Sequence, residues 1–229
     1  MSILASLVRA YERLPGAPPF GYSMQNIGVI VGLDEDGSVA SVSPWFDGEG
    51  KKRKPRPVLV PSATARILIA SQAPGTRVHL SGRPFTDASG DRLRDWLGVT
   101  AEEFYDPAKF AILPMGFCFP GQDGRGADLP PRRECAPAWR APLMALMPQI
   151  DLVLTIGLYA QNWHMGVARR GSLTDSVRGW REIWQAPAVP KVLPLPHPSW
   201  RNTGWLKRNP WFGTELLPFL KAQIRDRIS

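Results

Sequence analysis

His197 opens the stretch "HPSWRN", directly behind the apolar run "KVLPLP". An imidazole at the end of a buried strand can place a hydrogen bond on an atom that gains charge, or move a proton near neutral pH. Pro198 stiffens the loop that follows it. Trp200 and Trp205 then alternate with Arg201, Lys207 and Arg208, and aromatics interleaved with cations stack on nucleic-acid bases. Ser199, Arg201 and Asn202 are of types that bond phosphate oxygens. Trp205 and Trp211 carry a second reading, as packing for the last helix. We assign Trp211 to packing and Trp200 to nucleic acid.

A second stretch with chemical content is "SQAPGTRVHLSGRPFTDASG", residues 71–90. Its Pro74-Gly75 turn can point backbone N–H groups at a ligand carbonyl or phosphate. It is not a Gly-x-x-x-x-Gly-Lys-Ser/Thr loop and not a dinucleotide fingerprint. Phe85, behind Pro84, offers a flat ring for a base and reads equally as core. Asp87 offers a carboxylate to a water and reads equally as a helix cap.

The elements that must position these residues follow from hydrophobic pattern. "RILIA", "FAILPM", "DLVLTIG" and "KVLPLP" are short, continuously apolar runs, as expected of strands covered on both faces. Helical segments alternate with them. "SGDRLRDWLGV" places Leu93, Trp96 and Leu97 on one side, "LPPRRECAPAWRAPLMALMPQI" reads as a proline-started helix, and "NPWFGTELLPFLKAQIRDRI" is amphipathic with Asn209 as its N-cap. The pattern predicts an α/β fold: a three-layer α/β/α body with a four-stranded parallel sheet. Ligands in such sheets bind outside the carboxyl ends of the strands, where both stretches above fall. Residues 1–60 read as an extension packed on that body, which spans 61–229. In the extension, "MSILASLVRAYERLPG" is an amphipathic helix and "NIGVIVGLDEDGSVASVS" a β-hairpin. The run Lys51-Lys52-Arg53-Lys54 reads as a solvated loop or as a phosphate-contacting patch.

Composition narrows the class. A formal charge of +8 favours a polyanionic partner. Cys118 and Cys135 are too few and too far apart for a zinc ribbon or an iron–sulfur cluster. His79, His164 and His197 show no ligand spacing, so no metal is expected. The N-terminus lacks the features of a signal peptide, and no segment is long and apolar enough to span a bilayer. The expected location is cytoplasmic, with the nucleoid.

"SQAPGTRVHLSGRPFTDASGDRL", followed after the right number of strand–helix units by "LPLPHPSWRN", resembles the uracil-DNA glycosylase superfamily. "GRPF" and "SG..L" are similar to the family-four and family-five bacterial enzymes, and "HPS" to families one and five. The resemblance runs from about Arg66 to the C-terminus. The chain departs from the relatives at several points. Ala73 stands where family one has an aspartate, and Gln72 where family four has a glutamate. No asparagine follows the second strand in "AILPMGFCF", and "PPRREC" lacks a nucleophilic histidine. The cysteines for an iron–sulfur cluster are absent. The resemblance therefore points to a divergent branch.

What it implies is a DNA repair glycosylase, acting without cofactor on uracil-containing DNA and without an obligate protein partner. Such an enzyme flips the nucleotide into a pocket because the bond it cleaves lies inside the duplex. The implied catalytic residues are His197, Asp87 and Gln72. The base would sit on Phe85 and against the Ala73-Pro74-Gly75 turn. Ser199, Trp200, Arg201 and Asn202 would hold the strand, with Trp200 in the gap left by the base. Two alternatives stand beside this: a glycosylase for hypoxanthine, xanthine or mismatched thymine, and a non-catalytic nucleic-acid-binding relative.

Overall fold

The computed structural model describes residues 56–133, 135–169 and 171–229, together with the backbone of four short strands before them. The expected N-terminal helix lies outside the described residues. The expected hairpin is present: β1 (Val31–Leu33) pairs antiparallel with β2 (Val39–Val42). The basic run, read above as a loop, contributes Lys52–Arg53 as a two-residue strand, β4, paired with β3 (Trp45–Phe46).

The body is built on β5 (Ile67–Ser71), β6 (Phe110–Pro114), β7 (Leu152–Ile156) and β8 (Lys191–Leu195). All neighbours are parallel, in the order β6-β5-β7-β8. Successive side chains alternate between the two faces. Ile67, Ile69, Ile112, Leu154, Ile156 and Leu195 face one core. Leu68, Ala70, Ala111, Leu113 and Val153 face the other. Both faces are covered, which is why the strands read as unbroken apolar runs.

Helices complete the outer layers. The first core is closed by α2 (Ala88–Leu97), α3 (Ala101–Phe104), α6 (Leu173–Arg178), α7 (Trp180–Gln185) and α9 (Leu217–Ile228). The second is closed by α4 (Cys135–Ala145) and α5 (Gly157–Met165). The remaining helices are α1 (Thr76–Ser81) and α8 (Thr203–Arg208). Outside the main ladder, Val60 bridges antiparallel to Ile112, so the chain enters the body alongside β6. Between β5 and β7 the connections leave in opposite directions, which opens a crevice at their carboxyl ends.

Two helix starts differ from expectation. Pro130 and Pro131 precede α4 rather than opening it, and α4 starts at Cys135 with Pro142 inside it. Pro131 packs against Gly116 at the end of β6 instead. Asn209 does not cap the last helix with its side chain. Its amide donates to the Trp205 carbonyl (2.8 Å), and its Oδ1 accepts from Arg178 (3.3 Å) and Trp211 Nε1 (3.2 Å). The polar groups of Asn209 thus tie α8 to α6, and a π-helical turn over Phe212–Leu216 leads into α9.

Candidate active site

The crevice is a cavity of about 550 Å³ at the carboxyl ends of β5, β6 and β8. The residues assigned to a site from the resemblance line it: Gln72, Ala73, Pro74, Gly75, Phe85, Asp87, His197, Ser199, Trp200, Arg201 and Asn202. They come from two segments more than a hundred residues apart, which the parallel sheet brings to one edge.

Phe85 is held in an uncommon backbone conformation, φ +56°, where a bulky residue persists only when its surroundings over-determine it. Those surroundings are visible. The Phe85 carbonyl accepts from the Tyr105 hydroxyl (2.9 Å) and from Arg94 (3.3 Å). Arg83 lies 3.5 Å over the Tyr105 ring. Gly90, in the first turn of α2, packs so close that a Cβ there would sit 1.9 Å from the Phe85 oxygen. The Phe85 ring meets Phe104 edge-on at 5.9 Å and is 8% exposed. It is a core residue and a cavity wall at once.

Asp87 likewise belongs both to the scaffold and to the cavity. It is the N-cap of α2, accepting from the Gly90 N–H at 3.3 Å, and it borders the cavity.

His197 is half-buried. Its Nδ1 accepts a hydrogen bond from the Ser199 backbone N–H at 3.2 Å. A neutral imidazole that accepts at Nδ1 carries its proton on Nε2. Burial pulls its pKa below the ordinary histidine value. Asp87 and Asp128 push it up and Arg201 pushes it down, but desolvation is the largest effect. The ring therefore stays neutral at physiological pH, with an Nε2–H donor to offer. The loop is clamped by Asn202, whose amide donates to the His197 carbonyl (2.7 Å), and by Arg92, which donates to the Ser199 carbonyl (2.9 Å).

The tryptophans divide. Trp200 stands 75% exposed at the cavity rim, with Arg201 beside its ring at 5.8 Å. Trp205 is packed: its Nε1 donates to Thr174 (2.8 Å), and its ring meets Trp211 and Phe212 edge-on. Trp211 packs there as well, with Arg178 near its ring.

The sequence places the segment "PMGFCFPG" after β6 at the ligand edge but does not single out Asp128 and Leu129 farther along that loop. Pro120, Asp128 and Leu129 line the cavity from it. Asp128 accepts from Gln122 (3.2 Å), and its carboxylate lies against Gly75. The segment "GQDGRGAD" has ordinary turn composition; its position after a strand of the parallel sheet was the available signal. Beneath the cavity, the fully buried Arg140 donates to the Leu113 and Pro114 carbonyls (3.0 Å each) and to His164 Nε2 (2.7 Å). Burial and the neighbouring guanidinium depress His164 to a pKa of about 3. This pair holds the end of β6, where the cavity wall is Ile112 and Pro114. No helix among the described residues is long and apolar enough to cross a membrane.

Residues 57–221, more than two thirds of the chain, match the family model described as the uracil DNA glycosylase superfamily. A second model, described as CRISPR-associated protein (Cas_Csd1), matches residues 7–74, less than a third of the chain. The family-wide match spans the whole parallel sheet and both segments of the cavity. The chain belongs to the uracil DNA glycosylase superfamily, and its function is of the DNA-repair glycosylase type.

Proposed function

We propose that the protein is a monofunctional uracil-DNA glycosylase. It flips uracil out of DNA and hydrolyses the bond to the sugar, leaving an abasic site. The observation that carries this reading is the sharing of one cavity by a neutral imidazole and a buttressed aromatic ring, His197 and Phe85.

The extruded base stacks on Phe85. Backbone groups at Gln72 and Ala73 bond its edge. As the bond from sugar C1′ to N1 breaks, its electron pair moves into the base, and negative charge builds on a base carbonyl. His197 Nε2–H donates to that oxygen. A single preorganised donor of this kind contributes about 3–4 kcal/mol. Water adds to C1′, oriented by Asp87, and its released proton balances the departing base anion. Gln72 completes the catalytic group beside them. Trp200 enters the gap in the stack, while Ser199, Arg201 and Asn202 steady the strand. Residues 61–229 form the glycosylase domain in this reading, and residues 1–60 an extension.

A different target base is the second reading, favoured by one observation. The wall at the end of β6 is Ile112 and Pro114, with no carboxamide to pair with a pyrimidine edge.

Purified protein incubated with oligonucleotides carrying uracil, hypoxanthine, xanthine or a G·T mismatch, then alkali, separates these. We expect scission at uracil. His197→Ala should lower single-turnover excision roughly 100- to 1,000-fold while binding to abasic DNA persists. Near-wild-type cleavage by that variant, or scission at another lesion alone, refutes the uracil scheme.

A further inference from the structure

We infer that Ser71 reads the edge of the flipped base, so that a hydroxyl on β5 sets base specificity. This rests on the glycosylase reading above. Ser71 closes β5, in register with Pro114 of β6. Alternation along the strand puts it on the same sheet face as Ile67 and Ile69, the face against which Phe85 packs. It borders the cavity with Phe85, Ile112, Pro114 and His197.

Ser71 is only 8% exposed, and its hydroxyl, which has no partner among the described residues, keeps its access on the cavity side. A hydroxyl so placed is available to whatever enters the cavity. The surrounding backbone does not pair with it. The Ser71 carbonyl is taken by the Met115 N–H (2.7 Å), and the Gln72 carbonyl by the Gly116 N–H (2.9 Å). The Leu113 and Pro114 carbonyls are taken by Arg140, and Pro114 has no N–H to give. The neighbouring wall, Phe85, Ile112 and Pro114, is otherwise apolar. The free valence of Ser71 thus points at whatever fills the cavity.

A base stacked on Phe85 presents its imide edge to that floor. The Ser71 hydroxyl can donate to a carbonyl or accept from a ring N–H, and it rotates to suit either. This supplies, from the neighbouring strand, the polar contact that Ile112 and Pro114 cannot make.

The test compares wild type, Ser71→Ala and Ser71→Thr in single-turnover excision, abasic-DNA binding and thermal unfolding. Deleting one partner of a buried hydrogen bond leaves the base unpaired, so Ser71→Ala should excise uracil about 5- to 100-fold more slowly. Binding to abasic DNA should not change, because the product carries no base. The melting temperature should hold, because the hydroxyl bonds no other described residue. Ser71→Thr keeps the hydroxyl and should keep most of the activity. Uracil excision by Ser71→Ala at the wild-type rate overturns the inference alone. A parallel loss of melting temperature and abasic-DNA binding makes Ser71 structural and also overturns it. A wild-type protein that binds abasic DNA but cleaves no lesion overturns the glycosylase reading, and this inference with it.

Discussion

Gly90→Ala is the substitution by which the buttress of Phe85 can be weighed. The added methyl carbon would lie 1.9 Å from the Phe85 oxygen, 2.7 Å from its carbonyl carbon and 3.0 Å from its Cβ. These are mostly backbone atoms, so no rotamer change relieves the overlap. Ordinary van der Waals contact requires a displacement on the order of 1 Å or more. Phe85 sits at φ +56° and its carbonyl is held by Tyr105 and Arg94, so the shift breaks those bonds or swings the ring. Base–aromatic stacking is worth about 1–3 kcal/mol, which corresponds to roughly a 5- to 150-fold loss in excision. Overpacking costs about 1–3 kcal/mol of stability in addition. Gly213→Ala is the control, since a Cβ there meets nothing within 4 Å. The assay is single-turnover uracil excision at saturating enzyme, with urea unfolding of the same preparations to correct for the folded fraction. If Gly90→Ala cleaves as fast per folded molecule as Gly213→Ala, the ring at position 85 does not hold the base and the reasoning fails.

Trp200→Ala should leave stability within about 0.5 kcal/mol, as expected of an exposed side chain. It should slow excision more from duplex than from single-stranded DNA, where there is no stack to fill; equal loss on both counts against a wedge. Trp205→Ala should instead destabilise the fold by about 2–4 kcal/mol through lost packing, visible as a lower urea midpoint. Acid should destabilise the protein through two half-buried histidines. His164 and His197 have folded pKa values below their unfolded value of 6.5, with His164 near 3. The contribution of His164 is complete above pH 6.5 and is lost as the pH falls toward 3, with a slope of about 1.4 kcal/mol per pH unit in that window, and His197 acts in the same direction below pH 6.5. Urea unfolding from pH 7 to 4 should show it, and His164→Gln should flatten it; an unchanged slope rejects the assignment.

The sequence by itself determined the sheet and its functional edge. Four unbroken apolar runs separated by helical segments admit few arrangements, because strands covered on both faces must lie inside a layered α/β body. The position of Gln72 and His197 just beyond such runs followed from the same rule. The core reading of Phe85 and the helix-cap reading of Asp87 were also legible, and both residues border the cavity as well. Contacts between distant segments were not legible. Trp200 and Trp205 share one cationic stretch, and only the packing of Thr174, Trp211 and Phe212 decided that one is exposed and the other fixed. Asp128 reached the site through the fold of a turn of ordinary composition. The free hydroxyl of Ser71 emerged from an accounting of neighbouring carbonyls, each claimed by a residue 26 to 44 positions away. Local pattern fixes which face a side chain takes, but which partners remain for it depends on three-dimensional closure. The groups that this cavity leaves open were decided at that second level.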